Sequence, residues 1–259
     1  TVWTVVEGDY PAIKGAISTL NGTVGEVWSG DVAQDFAGGS GTVDDPYLVA
    51  TGEQLAKVLI NHGHTKHYKL IADIYLNDVN SPLWKEKIGC NEWFDSKGST
   101  GKQPAWALFE GGGSFDGDGY VIYGLYYNRH HIDGDNAAFI GLFPSIGGNG
   151  AVIKNVGISD GYLGGTKNTG KTSEYVGAIT GFVEFWAEVR MQDYGRNATF
   201  VKAYTSQPEY QAKMPKIQNC FVDHNTYISG SNIGGIVGGG NDTVKVENCF
   251  FTGTLDCRS

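Results

Sequence analysis

The chain has 259 residues, a formal charge of −9, 39 glycines and only 7 prolines. Its lysines and arginines form no run able to neutralise a phosphate backbone, which argues against a nucleic-acid partner, and no stretch approaches the length of uncharged apolar residues that crosses a bilayer. Its 4 cysteines include no C-x-x-C pair, so neither a disulfide scaffold nor a zinc or redox motif is read.

Abundant glycine with little proline suits short strands joined by tight turns. The first predicted element is a helix over 51–62. Thr51-Gly52-Glu53-Gln54 is a capping box, Leu55, Val58 and Leu59 form an apolar stripe, and Gly63 ends it. Standing ahead of strands, it is expected to cover open strand edges as a lid. Residues 68–76 and 120–127 read as strands, with turns marked by Gly112-Gly113 and by Asp116-Gly117-Asp118-Gly119.

Downstream, two kinds of segment alternate. One is a glycine strand: Ile140-Gly141-Leu142-Phe143, Val176-Gly177-Ala178-Ile179 and Ile233-Gly234-Gly235-Ile236. The other carries an asparagine: Ile153-Lys154-Asn155, Ile217-Gln218-Asn219-Cys220 and Val246-Glu247-Asn248-Cys249. Gly141 to Asn155 and Gly234 to Asn248 are each 14 residues, and Asn219 to Gly234 is 15, a unit of 29. The remaining gaps are longer and read as insertions, the larger over 184–214. A unit of this size without two helical periods excludes helical solenoids and predicts an all-β, right-handed parallel β-helix. Equal phases would then stack about 4.8 Å apart, making Asn155, Asn219 and Asn248 a structural side-chain ladder and Cys220 and Cys249 stacked inward thiols.

These residues resemble a known family. Trp28-Ser29-Gly30, Gly38-Gly39-Ser40-Gly41-Thr42, Asp45-Pro46-Tyr47-Leu48-Val49, Phe115-Asp116-Gly117-Asp118-Gly119, Gly141-Leu142-Phe143 and Ile153-Lys154-Asn155-Val156-Gly157 are similar, in this order, to the GLUG-motif β-helix modules of bacterial surface proteins. The resemblance covers roughly 28–256. It implies an exported, adhesin-like or wall-attached protein, extracellular, with no catalytic residues to carry over. It also implies that residues 1–27 are a leading strand, the tail of a preceding module or one that completes a neighbouring copy, ahead of a β-helix domain over 28–259. The opening on Thr1 and the ending within a strand pattern are read as marks of a segment of a larger protein, with its export signal and anchor elsewhere.

Function is expected where the repeat is interrupted. Flat rings with a polar edge suit stacking on sugar faces, so the candidate ligand-binding residues are Trp93, Phe94 and Trp106 in one inserted loop and Trp186, Tyr194, Tyr204 and Tyr210 in the other, whereas Trp84 reads as core. No cofactor is expected. Asp116 and Asp118 are weak candidates for Ca²⁺, because two carboxylates are few and Asp-Gly is ordinary turn chemistry; His62, His64 and His67 suit a helix C-terminus better than a metal. Glu184, Glu188, Arg190 and Asp193 have no fixed mutual geometry, so catalysis is not expected. The reading is a non-catalytic binding or adhesion module for a polysaccharide or a host or cell-wall surface ligand. The alternatives are a spacer that self-associates end to end, then a polysaccharide lyase or hydrolase.

Overall fold

A computed structural model describes residues 3–4, 12–13, 27–29, 31–60, 65–80, 112–128, 138–147, 150–164, 174–184, 206–240 and 244–257. The architecture is all-β, with two short helices among the described residues. A leading antiparallel pair, β1 (Trp3–Thr4) and β2 (Ala12–Ile13), precedes it. The chain joins the main body at Val27 and Trp28. Val27 bridges to Tyr75, Trp28 donates its N–H to the Tyr75 carbonyl at 2.8 Å, and its ring is buried.

Next come β3 (Tyr47–Val49), helix α1 (Gly52–Ile60), β4 (His67–Leu70) and β5 (Ile74–Tyr75). Helix α1 fulfils the expected start. Gln54 N–H donates to Thr51 Oγ1 at 3.3 Å, while Gln54 Oε1 accepts from the Ala50 N–H at 2.7 Å. Its buried face of Leu55, Ala56, Val58 and Leu59 belongs to the main core, so the helix packs as part of it. The expected end at Gly63 lies outside the described residues.

From residue 114 the order becomes regular. One round runs through β6 (Ser114–Asp116), β7 (Val121–Tyr123), β8 (Tyr126–Asn128), β9 (Ala138–Ile140) and β10 (Phe143–Gly147). The next runs through β11 (Val152–Lys154), β12 (Gly157–Ser159), β13 (Tyr162–Gly164), β14 (Glu174–Gly177) and β15 (Thr180–Glu184). After helix α2 (Pro208–Lys213), a third uses β16 (Lys216–Gln218), β17 (Phe221–Val222), β18 (Tyr227–Gly230), β19 (Asn232–Gly234) and β20 (Val237–Gly240). Three strands follow, β21 (Lys245–Glu247), β22 (Phe250–Phe251) and β23 (Thr254–Cys257). Each round visits the same five sheets in the same order, and every pairing within them is parallel. The first sheet is the largest, β21-β16-β11-β6-β4-β3. Two stretches expected as single strands are instead divided between sheets. Residues 71–73 separate β4 from β5, and Gly124, at φ 70°, separates β7 from β8.

The core is built of columns at one register position. Tyr68, Phe115, Ile153 and Ile217 align on adjacent strands of the first sheet and are all buried, whereas Val246, next in the column, is 45% exposed.

Leaving the first sheet, the chain turns through residues in the left-handed region: Asp118 (φ 50°), Asn155 (56°), Asn219 (53°) and Asn248 (52°). Asn and Asp tolerate that region because their short polar side chains bond locally. Here the side chains also bond along the stack. Asn155 Nδ2 donates to Asp116 Oδ1 at 2.9 Å, Asn219 Nδ2 to Asn155 Oδ1 at 2.9 Å, and Asn248 Nδ2 to Asn219 Oδ1 at 3.3 Å. The ladder expected from the 29-residue unit is thus formed, and Asp116 extends it. Asn219→Ala removes one bond to each neighbouring round and adds left-handed strain, so a loss of about 2 kcal/mol is expected in urea unfolding. A change below about 0.5 kcal/mol would contradict a stabilising ladder.

Between the fourth and fifth sheets the turn is tighter, and there the glycines of the repeat have their reason. Gly141, Gly177 and Gly234 align. A Cβ on Gly141 would lie 2.5 Å from the Gly177 carbonyl oxygen, so the strands approach closer than any side chain permits.

Candidate functional site

The two longest inserted segments leave the fold from different sheets, one after β5 in the second and the other after β15 in the fifth, but rejoin it at the same sheet. Residues 76–113 join β5 to β6, and residues 185–215 join β15 to β16, so both return to the chain at the start of a strand of the first sheet. In that sheet β11 lies between β6 and β16. Val152 N–H donates to the Gly113 carbonyl at 3.1 Å and Lys216 N–H to the Ala151 carbonyl at 2.8 Å, so the return ends at 113 and 215 flank Ala151 on either side. Two strand spacings separate them, about 10 Å. Helix α2 closes the second segment against this corner, its Lys213 carbonyl accepting from Gly150 N–H at 2.8 Å.

Of the aromatic candidates, Trp93, Phe94, Trp106, Trp186, Tyr194 and Tyr204 lie outside the described residues. So do Trp84, His62, His64, Glu188, Arg190 and Asp193. Tyr210 is described and corrects an expectation. It lies on α2 and is only 5% exposed, so it offers no open face to a ligand. The first turn of α2, with Pro208 near its start and Glu209 after it, is the signal that could have shown a packed helix there.

Other aromatics, not singled out from sequence, form columns on the outside of the strands. Tyr126, Tyr162 and Tyr227 stack at 5.5 and 5.4 Å between ring centres, Tyr75 stacks on Tyr123 at 4.8 Å, and Phe221 on Phe250 at 5.9 Å. Their faces are turned to one another along the stack, so they stabilise successive rounds.

Asp116 and Asp118 are engaged by protein groups. Asp116 Oδ2 lies 3.0 Å from Lys154 Nζ, Asp116 Oδ1 accepts from the Asp118 N–H and from Asn155, and Asp118 Oδ2 lies 3.0 Å from Lys69 Nζ. Although burial pushes the Asp116 carboxyl up, the bonds from Asn155, the Asp118 N–H and Lys154 outweigh it and hold the carboxyl below its usual range. This arrangement is a charge ladder on the sheet face rather than an open oxygen cage. Gln218 and Glu247 extend the face, joined at 2.6 Å. His67 bonds through Nδ1 to Ser114 Oγ at 2.8 Å, and burial lowers its pKa. Among the described residues no group of three or more His, Cys, Asp or Glu side chains is placed to hold a metal.

The most concentrated polar cluster was not foreseen. Asp223 receives Ser159 Oγ at 2.6 Å, Thr226 Oγ1 at 3.0 Å, the Asn225 N–H at 3.1 Å and the Asp160 N–H at 3.3 Å. Ser159 Oγ also lies 2.9 Å from Asp160 Oδ2. A hydroxyl has one proton, so it serves one carboxyl at a time, and the second contact is satisfied when Asp160 carries a proton of its own. Burial, followed by the repulsion of Asp223, raises the Asp160 pKa above 3.8, against the pull of Ser159, Asn225 and His224. The signal available in sequence was Asp160-Gly161, which repeats the Asp-Gly chemistry of the turn at 118–119.

No family model matches the chain. A protein of Evansella cellulosilytica, provisionally named a Gly-rich membrane protein, is 35% identical over 149 residues, which are 56% of this chain and 14% of that protein. Halomucin of Haloquadratum walsbyi is 32% identical over 133 residues, 51% of this chain and 1% of that protein. The chain therefore spans a small part of the relatives it matches. A crystal structure from Bacteroides ovatus, provisionally described as an immunoglobulin A1 protease, aligns with 86% of this chain and 64% of that one at 18% identity and a TM-score of 0.40.

Proposed function

We propose that the chain is a right-handed parallel β-helix module of a larger secreted or cell-surface protein, akin to the GLUG-motif modules, and that it binds a polysaccharide or another surface ligand without catalysis. The observation that carries this reading is the shared corner. Two segments holding Trp93, Phe94 and Trp106, and Trp186, Tyr194 and Tyr204, rejoin the first sheet at ends about 10 Å apart, close enough there for one extended ligand to meet both. The five parallel sheets, revisited in the same order, support the β-helix, and the general handedness of parallel crossovers supports its hand. The names of the relatives, a membrane protein and a halomucin, support a surface setting.

A glycan array tests it with the wild type, Trp93→Ala and Trp186→Ala. Each substitution is expected to weaken binding about tenfold, the value of one lost ring contact. No binding by the wild type, or binding untouched by both changes, sinks the reading. A spacer or self-assembling unit is the second reading, favoured by the ring and amide columns that already bind round to round; light scattering would reveal the assemblies. Release of reducing sugar from a polysaccharide panel would replace both with an enzyme.

A further inference from the structure

Cys220 and Cys249 occupy equivalent positions on successive rounds. Gln218 aligns with Glu247 and Phe221 with Phe250, and Phe250 N–H donates to the Cys220 carbonyl at 2.9 Å, which places the two cysteines side by side. Each follows a left-handed asparagine with nearly the same φ, so their Cα–Cβ bonds leave the backbone in the same sense. Adjacent strands set their Cα atoms about 4.8 Å apart, within the roughly 4.4–6.8 Å a disulfide accepts, and closing the bond draws the two parallel Cβ atoms from about that separation to roughly 3.5–4.5 Å by a small local backbone shift. The Cys249 thiol leans toward the earlier round, its Sγ lying 3.5 Å from the Ile217 carbonyl oxygen. Both thiols are free; Cys220 is fully buried and Cys249 partly so.

We propose that Cys220 and Cys249 are a redox pair that closes into a disulfide in oxidising surroundings and clamps one round to the next. The order of events follows from access. The Cys249 thiolate attacks one sulfur of a small-molecule disulfide such as oxidised glutathione, releasing one glutathione thiolate and forming a mixed disulfide. Cys220 gives up its proton and attacks the Cys249 sulfur, releasing the second glutathione. Two protein thiols are oxidised to one disulfide, and one glutathione disulfide is reduced to two thiols. The environments agree with these roles. Hydrogen bonding from Cys220 lowers the Cys249 pKa and favours its thiolate, whereas burial raises that of Cys220. Cys257, exposed, its Sγ 3.9 Å from the Ser231 carbonyl oxygen, is a natural competitor and an internal control.

The test exposes the folded chain and its Cys257→Ser variant to oxidised glutathione, then maps peptides by mass spectrometry and follows thermal unfolding. A 220–249 cross-link lighter by two hydrogens is expected in both proteins. The unfolding midpoint should rise by about 5 °C or more on oxidation, and not in Cys249→Ser or Cys220→Ser. Persistence of Cys249 as a glutathione adduct or as a free thiol in the folded Cys257→Ser variant overturns the proposal, as does a cross-link of Cys249 to any other cysteine. None of these outcomes depends on whether the chain binds a glycan.

Discussion

Replacing Gly177 with Ala is expected to destabilise the chain by about 3 kcal/mol or more, among the largest effects of any single methyl group added here. The reason is steric. A Cβ at that position would stand 2.4 Å from the Thr180 carbonyl oxygen and 2.5 Å from the Gly238 amide nitrogen, backbone atoms on two different rounds. Neither can swing aside as a side-chain tip would, because Gly177 lies within β14, bonded to rounds on both sides, and Thr180 opens β15. Relief requires that the rounds move apart, which breaks ladder bonds and opens the packing of Val176 and Ile179, both fully buried. Urea unfolding followed by far-ultraviolet circular dichroism measures the loss. A cost under about 1 kcal/mol would show that the turn between the fourth and fifth sheets is looser than described.

The second large effect is expected at Asp223. Truncation to Ala removes the acceptor for four donors at once, of which the Thr226 and Ser159 hydroxyls are buried. A buried group left without a partner costs about 1–3 kcal/mol where water cannot enter; Ser159 keeps Asp160 as an acceptor, so the loss falls on the Thr226 hydroxyl and the two N–H groups, and a total of about 3 kcal/mol is expected after local relaxation. The neighbouring carboxyl should behave in the opposite way. Asp160→Asn keeps a residue suited to φ 53° and supplies N–H donors where two acidic groups now crowd one hydroxyl. It should stabilise the chain at neutral pH, by less than about 1 kcal/mol because the site is partly exposed.

The sign with pH is fixed by the direction of the shift. The Asp160 pKa is raised by folding, so its proton favours the folded state. That contribution is complete below the unfolded value of 3.8 and is lost as pH rises through the higher folded value. Wild type and Asp160→Asn should therefore differ least in strong acid and most once Asp160 has ionised. The groups facing Asp160 here are Ser159, Asp223, His224 and Asn225. Equal stability of the two proteins across this range would show that Asp160 is not held as an acid.

What could be read from sequence, and what could not, follows from the spacing. Asn219 and Asn248 stand one clean unit apart, so their shared turn and their bond were legible before any fold was seen. The glycine strands were legible as a pattern but not as a cause, because the near-collision at Gly177 involves backbone from other rounds. Asp160 and Asp223 stayed hidden since 63 residues separate them, the insertion between the rounds having pushed them off the period. The turn at Asp223 is also irregular. Phe221 aligns with Phe250 at 29 residues, whereas Tyr227 aligns with Thr254 at 27, so this turn carries two residues more than the next one and the cluster is built in them. Tyr210 was misread because a six-residue helix inside an otherwise aperiodic segment gives too short an amphipathic signal to separate a packed ring from an exposed one.

The register has a consequence for how such a chain can vary. Lys216 pairs with Lys245, Ile217 with Val246 and Gln218 with Glu247, each residue meeting its counterpart 29 positions on. A tandem duplication of that length would place every copied side chain over its original and lengthen the molecule with no existing contact disturbed. A gain of any other length would throw the columns out of phase unless it were expelled at a turn, as residues 185–215 are between β15 and β16 at the corner beside Ala151. Growth by whole rounds and novelty at the corners are thus separate channels of change, and the second can be rewritten while the first stays fixed.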